Sequence, residues 1–261
     1  MRRLSIARLL APVALGWLAM GAPARSATPA LALYAEGEYL AAISAGETEG
    51  GANGFAVAAR AALADAELRD APCLECLLTA ERLAQAAIAA DAENVEAHVL
   101  FVTAVGRRAR IIGFLASQRE SIGSRTDDAI ATALRIDPAS PLALAVRGAW
   151  HIEIVSQAGR FLARVLYGAD IEDGKEFYRQ AIERDPENPV IRYQYALSLD
   201  SYDFEQEREE IETALENAIA GTTGNAYEEA IKTRAQALLD LLRSGMEEAF
   251  EERMRQFRGE S

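Results

Sequence analysis

Apolar and small side chains recur at helical spacing along most of the chain. In residues 207–219, for example, Ile211, Leu215 and Ile219 follow one another at intervals of four residues. This interval places the three side chains on one face of a helix. Alanine is abundant and the whole chain contains only 8 prolines, a composition that favours closely packed helices. The pattern therefore predicts an all-α protein.

Residues 190–199 allow two interpretations. Tyr193 and Tyr195 alternate with Arg192 and Gln194, which is typical of a half-buried β-strand. Three longer segments decide between strand and helix, since each has an alanine, an aspartate four residues later and then a short polar turn. Because a strand at 190–199 has no counterpart in the other copies, we predict a helix there. The segments are AIAADAENVEAH, ALRIDPASPLAL and AIERDPENPVIR, which begin at Ala87, Ala133 and Ala181.

The aspartates of these segments, Asp91, Asp137 and Asp185, lie 46 and 48 residues apart. A repeat at this spacing is typical of a helical solenoid. Each copy is read as the end of one helix, a turn and the start of the next helix.

The repeated turn resembles the tetratricopeptide repeat, whose second helix ends in A-x-x-x-D-P-x-N. Gly148 stands where that family has its packing glycine, and Gly37, Tyr39, Ala42 and Ile43 match its inter-helix turn. The period here is longer than the family's 34 residues, and Ala92 replaces an expected proline. The resemblance implies a tetratricopeptide-like helical-hairpin solenoid over residues 28–245, followed by a charged capping helix or tail over 246–261. The end of the second helix matches at Ala133, Asp137 and Pro138, and again at Ala181, Asp185, Pro186 and Asn188.

A second resemblance is one of layout. ARVLYGAD at residues 163–170, followed by EFYRQAIERDP and a late AQALLDLL, is similar to the periplasmic T component of TRAP-type transporters. That resemblance implies an accessory protein that holds a small apolar or organic-acid ligand.

The first 27 residues have the pattern of an export signal. Basic residues precede the apolar stretch Leu9–Met20, and the small residues Ala22–Ala27 follow it. We expect cleavage, a periplasmic location and no stable membrane insertion of the remaining chain; an uncleaved anchor is the alternative. Removal of residues 1–27 takes away four arginines and no acid, so the formal charge changes from -13 to -17. Such an acidic surface argues against nucleic-acid partners.

The two cysteines, Cys73 and Cys76, form one C-x-x-C motif followed by Leu77. The absence of a histidine after the motif excludes c-type haem attachment. One helical turn separates the two thiols, so a local disulfide is expected in an oxidising compartment. A plain thiol pair, a redox pair and half of a metal site are the alternatives, and only His98 and His151 could add imidazole ligands.

Repeat proteins of this kind bind partners on the concave face that their first helices form. The family alignment predicts an apolar groove there, suited to an envelope protein or peptide. The alternative is that these side chains pack against the next helix. The predicted groove residues are Trp150, Ile152, Val190, Tyr193 and Leu197.

A basic stretch, Gly106–Arg119, interrupts the acidic sequence. Its residues Arg107, Arg108 and Arg110 are a candidate anion-receptive cluster, although pairing with the many glutamates is the alternative.

Motifs typical of catalysis do not occur: the chain has no G-x-S-x-G, no Walker phosphate loop, no H-E-x-x-H and no G-x-G-x-x-G. We therefore predict no enzyme activity, no cofactor and no metal. The expected function is a protein-binding or scaffolding module in the periplasm, and the alternative is a transporter accessory with a small organic ligand. A closed apolar cavity with arginines at its mouth would favour the alternative, and an open groove would favour the first interpretation.

Overall fold

The computed structural model describes residues 28–259 and is helical throughout, with twelve helices and no strand in this range. The predicted export signal lies outside the described residues. The all-α helical-hairpin fold is confirmed. The helices are α1 (Pro29–Glu36), α2 (Tyr39–Glu49), α3 (Gly51–Leu68), α4 (Leu74–Ala90), α5 (Val95–Ile112), α6 (Phe114–Arg119), α7 (Ile122–Ile136), α8 (Pro141–Tyr167), α9 (Ile171–Arg184), α10 (Pro189–Ala220), α11 (Ala226–Arg243) and α12 (Glu247–Arg258).

The three aligned segments form the same turn. In each, the aspartate ends a helix by donating its N–H to the carbonyl of the alanine four residues earlier, at 2.9 to 3.0 Å. Three residues after the aspartate, a polar side chain caps the next helix: Asn94 before α5, Ser140 before α8 and Asn188 before α10. Residues 190–199 accordingly lie in α10, as predicted.

The helices form two layers. Helices α3, α5, α8 and α10 contact one another in that order and form an inner layer. Each packs against an outer helix that follows it in the chain, namely α4, α7, α9 and α11 respectively. Since α5, α8 and α10 each begin right after one of the short turns, the repeat in the sequence directly produces this part of the arrangement.

Two glycine pairs mark the closest approaches between neighbouring helices. A Cβ atom added at Gly148 of α8 would lie 2.8 Å from the carbonyl oxygen of Gly174 in α9. A Cβ added at Gly46 of α2 would lie 2.5 Å from the carbonyl oxygen of Gly54 in α3. These glycines allow backbone-to-backbone packing that no larger residue permits. Gly148 thus has the packing role that the sequence assigned to it.

The two longest helices are bent. α8 bends at Gly159, whose φ of 76° and ψ of 154° are accessible essentially to glycine alone. α10 bends at Asp203, whose side chain accepts a hydrogen bond from the N–H of Gln206 at 3.0 Å and so caps the second half.

The two ends of the helical array meet. α1 contacts α11, and a Cβ added at Gly37 would lie 3.1 Å from the Cβ of Ala226. Glu67 of α3 also accepts hydrogen bonds from Gln194 of α10 and Tyr227 of α11. The inner layer therefore closes on itself and surrounds a space, where an open solenoid would present a groove.

Helix α12 is packed into the fold. Phe250 and Met254 are fully buried against α10 and α11, and Arg258 forms an ion pair with Asp200. Gln256 reaches the carbonyl of Asp70, in the loop after α3, at 3.2 Å. The last described helix thus covers one end of the core. Within the described range, no helix is both long and apolar enough to cross a bilayer.

Cys73 and Cys76 form a disulfide at the start of α4. We predict that its reduction lowers the free energy of unfolding by no more than about 2 kcal/mol, because so short a loop restricts the unfolded chain little. Urea unfolding with and without a reductant measures the difference, and a Cys73→Ser/Cys76→Ser variant that does not respond to reductant is the control. A loss well above this value would show that the disulfide holds more than its own turn.

Candidate functional site

A half-open cavity of about 680 Å³ lies between the helices of the inner layer. Its wall comes mainly from α3, α5, α8 and α10, with smaller contributions from α1, α6, α7, α9 and α11. This volume is in the range of pockets that bind small organic molecules. Most of the wall is apolar, with Leu63, Leu100, Val102, Val146, Ile154 and Val190 among its side chains.

The main polar feature of the wall is centred on Glu67. Its carboxylate pairs with Arg107 of α5 at 2.6 Å and accepts hydrogen bonds from Gln194, at 2.9 Å, and from the Tyr227 hydroxyl. Burial raises the pKa of Tyr227 well above its usual value, and Glu67 adds to this effect, so the hydroxyl remains a donor. Burial alone would lower the pKa of Arg107, but Glu67 offsets this and the net pKa is raised. All four groups therefore satisfy one another.

The other two arginines of the described wall also face carboxylates. Arg110 pairs with Glu153 of α8 at 2.8 Å, and Arg60 pairs with Glu96. Burial acts to raise the pKa of Glu153, but the charge of Arg110 and the hydrogen bonds from Arg110 and Gln157 together outweigh it, so the pKa lies below its ordinary value. The cavity thus contains charged groups, yet each of its arginines is neutralised by a neighbouring acid. A ligand with a full negative charge would have to compete with these pairs.

The predicted anion-receptive cluster requires a correction. Arg107 and Arg110 line the cavity, but Arg108 is buried on another side of α5, where it binds Glu81 at 2.9 Å and Glu120 at 2.7 Å. Neighbouring helix residues point about 100° apart, whereas residues three apart share a face. The three arginines therefore do not act as one group, and each has a carboxylate partner.

The predicted partner groove is also revised. Trp150 and Val190 line the cavity, whereas Ile152, Tyr193 and Leu197 lie in the core and are 0 to 3% exposed. Ile152 faces α9, close to Gly174, and Tyr193 and Leu197 belong to the core cluster that includes α11. These three side chains pack against the outer helices, which is the alternative that the sequence left open. They cannot contact a partner in the folded protein.

Several residues of the wall were not predicted. Glu67 lies in residues 47–70, where the repeat pattern is weak, and its partners Gln194 and Tyr227 are 127 and 160 residues away. Glu153 lies one helical turn before Gln157, which donates to its carboxylate at 2.5 Å. No local motif signals the long-range contacts of Glu67. The signal in the sequence that could have identified these wall residues is a single carboxylate on an otherwise apolar face of an inner helix.

Comparison with known families finds no family model that matches this chain, and no curated protein matches it.

Both histidines have structural contacts. The His98 ring donates from Nε2 to the carbonyl of Ala92 at 2.9 Å, and His151 Nδ1 accepts the N–H of Asp170 at 3.1 Å. Burial, and then the charge of Arg147, lower the pKa of His151, so the neutral ring that this hydrogen bond requires is favoured. Among residues 28–259, no group of three or more His, Cys, Asp or Glu is arranged to hold a metal ion.

Proposed function

We propose that this protein is a non-catalytic binding protein that encloses one small, mainly apolar organic molecule in the cavity. The observation that carries the proposal is the cavity itself, about 680 Å³ in volume and surrounded by an inner layer that closes through Glu67. Desolvating an apolar ligand in such a space is favourable in proportion to the area removed from water.

The charges of the wall support an uncharged ligand, or one with a small polar end. Arg60, Arg107 and Arg110 are each paired with a carboxylate of the wall. An anionic ligand would have to displace that carboxylate to bind an arginine, so it would gain little binding energy. The pairs still offer hydrogen-bonding atoms that could orient a hydroxyl, carbonyl or amide group of the ligand.

The first function expected from the sequence, a scaffold that grips a protein in an open groove, has less support. Three of the five proposed groove residues pack in the core and do not line the cavity, and the first and last helices of the array meet across the space that a peptide would occupy. The transporter-accessory interpretation, with a periplasmic location, agrees better with an enclosed ligand. Its further support is the export pattern of residues 1–27 and the resemblance in layout to the T component.

The experiment that tests the proposal is native mass spectrometry of the protein purified without organic solvent. A bound molecule should add one discrete mass, which solvent extraction removes. Gly106 of α5 supplies the control pair, because it lines the cavity and a Cβ placed there meets no other atom within 4 Å. We expect Gly106→Trp to lose the added mass and Gly106→Ala to keep it. Retention of the same mass by the tryptophan variant would place the molecule elsewhere and contradict the proposal.

A further inference from the structure

Exposed apolar side chains are concentrated in two short segments. Phe161, Leu162, Val165 and Leu166, in the part of α8 after its bend, are 76, 49, 63 and 65% exposed. Leu115 of α6 is 73% exposed. These five, which we name the apolar patch, are half of the ten large apolar side chains exposed among the described residues. Such a concentration marks an interaction surface, whereas single exposed apolar residues do not.

The apolar patch borders the cavity. Gln118 of α6 donates a hydrogen bond to the Tyr167 hydroxyl at the end of α8, at 2.9 Å, and both residues line the cavity. Gln118 is also exposed, so the cavity reaches the surface between the two segments. The glycines Gly113 and Gly159, both at positive φ, lie at the start of these two segments.

Arginines alternate with the apolar side chains. Arg119 of α6 and Arg160 and Arg164 of α8 are exposed, in a chain whose formal charge is -13. Of the acids next to them, Glu120 pairs with Arg108, whereas Asp170 pairs with Arg164 itself. Charges further away are screened beyond about 8 Å at physiological ionic strength, so Arg119 and Arg160 supply the positive charge beside the apolar patch.

We propose that the apolar patch and its arginines dock on the surface of a bilayer that contains anionic phospholipid. Apolar side chains that enter the headgroup region and arginines that pair with lipid phosphates are the features of an interfacial anchor. A second copy of this chain fits less well, because a two-fold interface would bring like-charged arginines of both copies together. Docking would place the opening of the cavity at the lipid surface. The inference rests on exposed side chains and does not depend on which ligand the cavity holds.

The test is co-sedimentation of the protein with vesicles of phosphatidylcholine alone and of phosphatidylcholine with phosphatidylglycerol. We expect binding to the anionic vesicles that weakens with added salt. Phe161→Asn/Leu166→Asn and Arg119→Gln/Arg160→Gln should each weaken this binding about tenfold or more. Leu40→Asn is the matched control, because Leu40 is 65% exposed on α2, outside the patch, and its loss should change nothing.

Two results would overturn the proposal. The first is equal partitioning of the wild type and both double variants, or no partitioning of the wild type at all. The second is a stable dimer of the wild type in sedimentation velocity without vesicles that the Phe161→Asn/Leu166→Asn change dissociates, since the patch would then be covered by a second copy. Because ligand retention is measured separately on the Gly106 variants, failure of docking and failure of the proposed function are distinguishable.

Discussion

Replacing Glu67 by alanine is expected to lower the free energy of unfolding by about 3 to 5 kcal/mol, the usual cost of removing one partner from a buried ion pair. The Glu67 side chain is 2% exposed, and its loss leaves Arg107, Gln194 and Tyr227 without their acceptor. It also removes the contact between α3 and the last helices of the array. We therefore expect the hydrogen-exchange protection of α11 to fall more than that of α4, since Tyr227 of α11 donates a hydrogen bond to Glu67 and the partners of Glu67 described above include no residue of α4.

Urea unfolding of four proteins separates the ion pair from side-chain packing. These are the wild type, Glu67→Met, Arg107→Met and the double variant. Since the double variant leaves no unpaired buried charge, we expect it to be more stable than either single variant. Two results would show that the cluster does not hold the array closed. One is a stability loss in the double variant equal to the sum of the losses in the two single variants, and the other is a loss below about 1 kcal/mol in Glu67→Ala.

The same substitution should have opposite effects at two helical glycines. Gly148→Ala is expected to cost about 1 to 3 kcal/mol, because the new Cβ would lie 2.7 Å from Tyr178 Cδ2 and 2.8 Å from the Gly174 carbonyl. Tyr178 is fully buried, and a backbone oxygen cannot move aside without shifting α9. Gly106→Ala should instead stabilise the protein by about 0.5 to 1 kcal/mol, because its Cβ meets nothing and alanine favours helix.

Urea midpoints of the two variants measured side by side check this expectation. The pair controls for helix propensity, since both positions lie inside helices of the inner layer. If both variants gained stability, α8 and α9 would not pack as closely as Gly148 and Gly174 indicate.

The turns and the packing glycine could be predicted from the sequence because they depend on local chemistry. An aspartate followed three residues later by a capping side chain determines a helix end and a helix start within one short stretch. The helix over residues 190–199 could likewise be predicted, but only by comparison with its two counterparts.

The closure of the array could not be predicted in the same way. It depends on Glu67 meeting residues 127 and 160 positions away, and no repeat pattern encodes such a contact. The prediction of an open groove was wrong for two reasons: the helical array closes, and the sequence does not determine which face of each inner helix points toward the cavity. The sequence identifies the inner helices, but the choice between Trp150, which faces the cavity, and Ile152, which faces α9, is set by about 200° of helix rotation.

The most direct test of the central claim, that the closed inner layer holds an uncharged apolar ligand, is a titration with N-phenyl-1-naphthylamine. This probe is uncharged and fluoresces in apolar surroundings. We predict saturable binding at one site in the wild type and in Gly106→Ala, and binding weakened at least about tenfold in Gly106→Trp, whose indole would occupy the cavity. Equal binding by all three proteins, with Gly106→Trp shown to be folded, would contradict the claim.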